Sequence, residues 1–372
     1  MTSSDIVPLR IAQFCLTPGN GSRSFVLRTL ASLSLVTLVA CGSPTPSAPA
    51  QATPGVATAT ATATATPVRI GIALGGGAAK GFAHIGVIKM LEANGFAPAV
   101  VAGTSAGSGV GALYASGMNA FELQENAVAL DESKIRDLQF SSGGLVLGQK
   151  LEDYVNEQVH RKPLEQLAKP FVAVATRLED GERTVFARGN TGQAVRASSS
   201  VPGVFQPVSI GKYHFVDGGI VSPVPVDAAR QLGADVVIAV DISNKARGKS
   251  PESMLGTLGQ SIAIMGQKLG QAELARADVI IRPKVLDLGS ADFSQRATAI
   301  LEGEKAALAA MPQIRERVAH LQADRANATR LAQQKAADAQ RQACLDNRSR
   351  LQKMAGKVVD MVGMADEACV TP

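Results

Sequence analysis

The chain has 372 residues, a formal net charge of +5 and 46% hydrophobic residues, which is ordinary for a globular protein and allows one sizeable core. Aromatic residues make up only 4% and tryptophan is absent, which argues against the stacking surfaces of proteins that bind single-stranded nucleic acid. The positive charge is concentrated in residues 315–357, where ten lysines and arginines stand against four acidic residues. The sequence therefore predicts one main domain with appended segments and no nucleic-acid partner.

The first 40 residues have the features of a secretion signal. Two arginines precede an apolar run, residues 25–40, that is too short and too rich in serine and threonine for a comfortable transmembrane helix. Small residues just before Cys41 resemble the lipobox of bacterial lipoproteins, so we expect lipidation at Cys41 and a lipid-anchored protein in the cell envelope. Gly42 would fit the periplasmic face of the outer membrane in an organism with two membranes. An ordinary cleaved signal with a chance cysteine is the alternative.

Residues 41–67 are rich in proline, alanine, threonine and serine and end in an Ala-Thr repeat, which predicts a flexible linker because this composition buries too little apolar surface to fold. Two cysteines remain near the C-terminus, Cys344 and Cys369. An oxidising compartment would permit a disulfide between them, worth about 3 kcal/mol. Two separate thiols are the alternative.

Strand and helix patterns alternate from residue 68 to residue 311, which we interpret as one α/β domain. Glycine-rich turns follow the first two strands, and each turn leads into a helix with apolar residues at helical spacing. The predicted strands are residues 68–74, 98–102, 171–176, 184–187, 235–242 and 279–282, with a hairpin around Asp180-Gly181. Successive strand-turn-helix units predict a layered α/β fold with a mostly parallel sheet.

The glycine triplet after the first strand could bind phosphate or present bare amides. A Walker loop needs Ser or Thr after its lysine, but Gly81 follows Lys80. A dinucleotide fold needs an acidic residue at the end of the second strand, which instead ends in residues 102–104. The remaining role is an oxyanion hole at the start of a helix, with Lys80 as a cation that stabilises the loop. The candidate donors are the amides of Gly75, Gly76, Gly77 and Ala78.

The second turn contains the candidate nucleophile, Ser105, in the pattern Gly103-x-Ser105-x-Gly107. In a nucleophile elbow, glycines flank the serine because its sharp turn from strand to helix crowds the neighbouring backbone. The strain exposes the hydroxyl at the carboxyl end of the sheet. The strand before this motif and the helix after it favour a catalytic role for Ser105.

The candidate base is an aspartate, because the histidines are poorly placed for a serine triad. The four histidines are His84, His160, His214 and His320. Only His320 comes late enough in the chain, and it lies in a charged helical stretch beyond the domain. We interpret His84 as a hydrogen-bonded packing residue. Asp217 ends a predicted strand, and Gly218 and Gly219 leave its carboxylate unobstructed, so Asp217 is the preferred base for Ser105.

Four motifs in this order resemble the bacterial patatin-like phospholipases. They are the glycine triplet with Lys80-Gly81-Phe82-Ala83-His84-Ile85-Gly86, then Gly103-Thr104-Ser105-Ala106-Gly107, Ser199-Ser200-Val201-Pro202-Gly203-Val204-Phe205, and Asp217-Gly218-Gly219 with Pro223-Val224-Pro225. The resemblance covers most of residues 68–242. It implies a three-layer α/β/α domain, a Ser105-Asp217 dyad without a catalytic histidine, lipid esters as substrates, and no cofactor or metal. Many members carry a further glycine or an arginine where Ala78 and Ala79 stand.

Residues 312–372 predict a basic helical extension. Ile314, Val318 and Leu321 form one apolar stripe, so we expect C-terminal helices packed against the domain. The positive charge would either face solvent or touch anionic head groups of a membrane. Two other functions stay open from sequence: a non-catalytic lipid-binding envelope lipoprotein, and a histidine-dependent esterase or thioesterase that acts on small acyl groups.

Overall fold

In a computed structural model of the chain, the structure describes residues 66–141, 144–243, 252–289 and 291–354. The strands are β1 (Ile70–Leu74), β2 (Val100–Thr104), β3 (Leu138–Ser141), β4 (Gly144–Val146), β5 (Phe171–Arg177), β6 (Arg183–Phe186), β7 (Val208–Ile210), β8 (Tyr213–Asp217), β9 (Val236–Val240) and β10 (Val279–Ile281). The helices are α1 (Phe82–Ala93), α2 (Ala106–Ala115), α3 (Ala120–Ala129), α4 (Gln149–Gln158), α5 (Thr191–Ser198), α6 (Val226–Gln231), α7 (Met254–Leu274) and α8 (Arg296–Met354).

The predictions for the N-terminal region and for the cysteine pair fall largely outside these ranges. The secretion signal, the lipidation site at Cys41, and Cys369 are not among the described residues. Cys344 is disulfide-bonded, but its pairing with Cys369 stays a prediction. Within the described ranges, no helix has both the length and the apolar character needed to cross a membrane.

One eight-stranded sheet forms the centre of the domain, in the order β10-β9-β1-β2-β5-β8-β7, with β6 also paired to β5. Its strands from β10 to β5 run parallel, whereas β6 and β8 pair with β5 in antiparallel orientation and β7 pairs with β8 in antiparallel orientation. The mostly parallel sheet and the β5-β6 hairpin confirm the predictions from sequence. β3 and β4 form a separate two-stranded sheet.

Helices cover both faces of the large sheet. Successive side chains of a strand point to opposite faces, so the burial of every residue of β1 indicates that both faces are covered. On one face, Ile72 and Leu74 join an apolar cluster with residues of α1, α2 and α8. On the other face, Ala73 packs in a cluster with residues of α6 and α7. The domain is therefore a three-layer α/β/α fold, as the resemblance implied.

The described part of the C-terminal region is one long helix, α8, which begins inside the predicted domain and runs through the predicted boundary at residue 311. Its first turns lie against α1 at a contact between two glycines. A methyl group added at Gly86 would lie 2.0 Å from the carbonyl oxygen of Ile300, and one added at Gly303 would lie 2.0 Å from that of Ala83. Further along α8, Ile314 and the rest of the predicted apolar stripe pack against the domain core.

Candidate active site

Ser105 stands at a strained turn between β2 and α2. Its backbone has φ 54° and ψ −125°, a conformation that non-glycine residues rarely adopt and that is often found at functional sites. The flanking glycines are required by close backbone contacts. A methyl group at Gly103 would lie 2.5 Å from the carbonyl oxygen of Gly107, and one at Gly107 would lie 2.2 Å from that of Leu74. The sharp elbow expected from the motif is present.

The two glycines at the start of α2 provide a matched test of this crowding. We expect Gly107→Ala to lower the free energy of unfolding by about 3 kcal/mol or more, because the new methyl group meets rigid backbone. Gly109→Ala should instead be neutral or stabilise the protein by up to about 1 kcal/mol, since a methyl group there meets nothing within 4 Å. Urea denaturation of both variants measures the difference, and equal effects would contradict the crowded elbow.

A buried serine of α5 holds the backbone of the elbow. Ser198 Oγ accepts a hydrogen bond from the Ser105 N–H at 2.9 Å and donates one to the carbonyl oxygen of Val174 on β5 at 2.6 Å. The preceding residue, Thr104, donates from Oγ1 to the carbonyl oxygen of Ser222 at 2.8 Å. The amide of Ser105 is therefore already engaged and is not a donor to substrate. Sequence analysis missed Ser198, although it directly precedes one of the quoted motifs.

Asp217 lies at the end of β8, which pairs with β5 beside the elbow. Its N–H donates to the carbonyl oxygen of Ser200 at 2.9 Å, and its Oδ1 accepts from the Gly219 N–H at 2.6 Å. Its Oδ2 is buried, and no donor among the described residues has both the distance and the angle of a regular hydrogen bond to it. A backbone amide thus holds one carboxylate oxygen of Asp217, and the other is left to interact with the Ser105 side chain.

Burial raises the pKa of Asp217 from 3.8 to about 6. Hydrogen bonds from the Ser105 hydroxyl and from the Gly219 N–H favour the ionised carboxylate and therefore limit the rise in the pKa. Catalytic hydrogen bonds are often long in a ligand-free site and shorten when substrate binds. The structure therefore brings the candidate nucleophile and the candidate base together from positions 105 and 217.

The glycine loop passes directly beside the nucleophile, since a methyl group at Gly76 would lie 3.2 Å from Cβ of Ser105. Two of its predicted donors are engaged elsewhere. The Gly75 N–H donates to Val240 at 3.1 Å and the Gly76 N–H donates to Pro223 at 3.0 Å, in both cases to the carbonyl oxygen.

This engagement corrects the predicted donor set to Gly77 and Ala78. No described residue accepts from either of these two amides. Ala78 has a positive φ of 52° and lines the same cavity as Ser105. The amides that could stabilise an oxyanion are therefore those of residues 77 and 78.

His84 supports the glycine loop from α1. Its Nε2 lies 2.8 Å from the carbonyl oxygen of Gly75, so Nε2 is the protonated nitrogen and donates this bond. Burial lowers the pKa of His84 to about 4, which keeps the ring neutral at pH 7. The side chain of Lys80 in the same loop is buried as well.

The other histidines lie away from this centre. His214 bonds to Glu179 on the surface, His320 pairs with Asp324 within α8, and His160 is exposed.

Glu273 of α7 holds the loop that links these parts, and sequence analysis missed it. Its two carboxylate oxygens accept from the Ser222 hydroxyl and from the Val224 N–H, the latter at 3.0 Å. The carbonyl oxygens of residues 222 and 223 in turn accept from Thr104 and Gly76. Glu273 therefore fixes one segment that orients both the elbow and the glycine loop.

A cavity of about 440 Å³ opens beside Ser105, a volume within the range of about 300–1,000 Å³ that is typical of ligand sites. Its walls come mainly from apolar side chains of α1 to α5, with contributions from the 199–205 motif. The lining residues with polar side chains are Ser105, Asn126, Arg136, Tyr154 and Ser199. Such a cavity suits an apolar chain attached to a group that reacts at Ser105.

Comparison with known proteins matches this site to one family. A family profile described as "Patatin-like phospholipase" matches residues 72–230. The chain is 35% identical over 185 residues to "Uncharacterized NTE family protein Rv1063c" of Mycobacterium tuberculosis, covering 49% of this chain and 51% of that protein. It is 31% identical over 180 residues to "Lysophospholipase NTE1" of Pyricularia oryzae, covering 47% of this chain and 12% of that protein.

Among solved structures, VipD from Legionella pneumophila aligns with a TM-score of 0.46 and 16% identity over 66% of this chain and 67% of that one. The chain thus spans about half of the mycobacterial relative and a small part of the fungal one. The profile match contains the glycine loop, Ser105 and Asp217. These matches support a patatin-like phospholipase domain in residues 72–230 of the chain.

Proposed function

We propose that the protein hydrolyses carboxylic ester bonds of lipids, with Ser105 as nucleophile, Asp217 as base, and the amides of Gly77 and Ala78 as the oxyanion hole. The observation that carries this proposal is the strained Ser105 beside a buried carboxylate, at the wall of an apolar cavity. A relative named as a lysophospholipase supports phospholipids or lysophospholipids as the substrate class. Lipidation at Cys41 is a further proposal, which rests on sequence and would keep the site at a membrane.

The reaction is acyl transfer in two steps. Ser105 Oγ attacks the ester carbonyl while its proton passes to Asp217, and the negative charge on the carbonyl oxygen is stabilised by the two amides. The alcohol then leaves with the proton from Asp217, and the acyl group stays on Ser105. In the second step, water attacks the acyl enzyme and gives its proton to Asp217. The fatty acid departs as the serine hydroxyl is restored.

The buried environment of Asp217 compensates for the low basicity of an ordinary carboxylate. An ordinary aspartate is about 2.6 pH units more acidic than histidine, which corresponds to roughly 3.5 kcal/mol of proton affinity. Because burial raises the pKa of Asp217 to about 6, it lies near the ordinary histidine value of 6.5. The remaining difference is below about 1 kcal/mol. The raised pKa therefore supports a reaction that uses Asp217 as base without a histidine.

This pKa predicts the pH dependence of the reaction. Only the ionised form of Asp217 can take the serine proton, so kcat/KM should rise with pH, reach half of its maximum at about pH 6 and approach a plateau at higher pH. A neutral ester as substrate keeps other titrations out of the profile. The measurement is kcat/KM from pH 4.5 to 8.5, within the range where circular dichroism shows an intact fold. A decline in kcat/KM on passing from pH 5 to pH 7 would contradict Asp217 as base, and a kcat/KM that is already constant at pH 5 would contradict its raised pKa.

The test of the proposed function is covalent labelling followed by product analysis. We expect a fluorophosphonate probe to label Ser105 and expect the protein to release fatty acid from lysophospholipid. The Ser105→Ala protein should do neither. A protein that binds lipid without reacting with the probe would be a non-catalytic lipid-binding protein. Faster turnover of acetyl or butyryl esters than of long-chain esters would favour the alternative of an esterase for small acyl groups.

A further inference from the structure

The cavity beside Ser105 contains a single charged residue among those that line it within the described part of the chain, and this residue is Arg136. The other polar lining residues are neutral. An arginine at the wall of an apolar cavity can bind an anionic group of a molecule that occupies the cavity. Because of this position, part of a substrate bound in the cavity would lie beside the guanidinium.

Aromatic contacts fix where Arg136 lies. Its guanidinium carbon is 5.7 Å from the centre of the Phe293 ring. Phe293 in turn packs edge to face against Phe82, with 5.5 Å between the ring centres. Phe82 begins α1 directly after the glycine loop, and both phenylalanines line the cavity. Arg136 is thus held on the wall of the cavity that adjoins the loop.

The partner that Arg136 now has is exchangeable. Arg136 forms an ion pair with Glu132, four residues earlier, and the two side chains are 40% and 36% exposed. Exposed ion pairs of this kind contribute little, about 0–1 kcal/mol. Arginine binds phosphate in a planar, two-pronged geometry that is stronger than a single exposed contact. A phosphate group that entered the cavity mouth would therefore compete well with Glu132.

We propose that Arg136 forms a subsite for the phosphate group of a phospholipid or lysophospholipid. This inference rests on the proposed function and names its substrate class. With the acyl chain in the apolar cavity and the ester at Ser105, the head-group phosphate takes the place of Glu132 on the guanidinium. The protein consequently prefers phosphate-bearing lipid esters over neutral glycerides of the same chain length.

The test compares binding of two lipids that differ in phosphate. Lysophosphatidylcholine and monoacylglycerol of the same chain length are titrated, below their micellar concentrations, into the Ser105→Ala protein, which cannot turn them over. Adding Arg136→Gln should weaken binding of lysophosphatidylcholine by about 10- to 100-fold, the range expected for a lost charge-assisted hydrogen bond. Binding of monoacylglycerol should change by less than about 3-fold. Arg136→Lys should recover part of the loss, because it restores the charge without the planar geometry.

Glu132→Gln supplies the reciprocal control. Removing the competing carboxylate should tighten binding of lysophosphatidylcholine several-fold and leave monoacylglycerol unaffected. Inorganic phosphate should compete with lysophosphatidylcholine only weakly, because it lacks the acyl chain; equal competition would mean that the site takes free phosphate instead of a lipid head group, and would overturn the proposal.

Equal losses for both lipids in Arg136→Gln would also overturn it, since Arg136 would then act only on the shape of the cavity. Because these affinities are measured without turnover, they are independent of the proposed reaction. Absence of hydrolysis by the unmodified protein would instead count against the proposed function.

Discussion

Ser105→Ala is expected to reduce kcat for ester hydrolysis by about 10⁶-fold, the loss found when a serine hydrolase loses its nucleophile. Alanine keeps the Cβ that lies beside Gly76, and the hydrogen bonds that position residue 105 involve its backbone. The fold should therefore survive, with a melting temperature within a few degrees of the parent protein. Steady-state hydrolysis, probe labelling and thermal denaturation measure the three expectations.

Ser116→Ala is the matched control, because Ser116 stands at the opposite end of α2 and its hydroxyl donates to the carbonyl oxygen of Leu113. It should keep full activity. A folded Ser105→Ala protein that retains more than about 1% of the activity would show that another residue performs the attack.

Asp217→Asn should lower kcat by about 10⁶-fold, the loss found when a serine hydrolase loses its general base. Asparagine is nearly the same size and can still accept from the Gly219 N–H, so the position of residue 217 should be maintained. What it loses is the ability to take the serine proton. His214→Ala serves as the control, because His214 lies on the surface with Glu179. Loss of activity in a folded His214→Ala protein would overturn the dyad.

The same substitution should stabilise the protein at neutral pH. Because the folded-state pKa of Asp217 is raised above its ordinary value, the native protein holds this proton more tightly than the unfolded chain does. The associated stability is fully present below pH 3.8 and is lost as the pH rises through about 6. At pH 8 the cost amounts to about 3 kcal/mol, which asparagine avoids. Urea denaturation at pH 5 and pH 8 should show the gain of Asp217→Asn over the parent, and a larger gain at pH 8.

The sequence was informative where chemistry depends on residues at strand ends. Ser105 directly follows β2 and Asp217 ends β8, and the ends of these two strands lie at the same level on either side of β5. The glycines around them report the crowding of the backbone. Glycines show that backbone must approach backbone, but they do not show which amides remain free. Gly75 and Gly76 are engaged by Val240 and Pro223, from segments far along the chain.

The residues that hold the elbow and the glycine loop from distant segments could not be predicted from the sequence either. Ser198 is 93 residues from Ser105, and Glu273 is 51 residues from Ser222. No local pattern marks a serine or a glutamate whose role is to hold another loop. The predicted boundary at residue 311 followed a change in composition, but composition there reflects exposure to solvent, and the helix α8 continues through it.

The contact between Gly86 and Gly303 has a practical consequence for fusing or shortening this protein. The first half of α8 packs against the domain as far as Val318, and Arg325 forms an ion pair with Asp235. Removing this first half would expose α1, the helix that follows the glycine loop. The side chains of residues 331–350 are mostly exposed. Reporter proteins and affinity tags therefore belong on that distal half, where added mass leaves the core undisturbed.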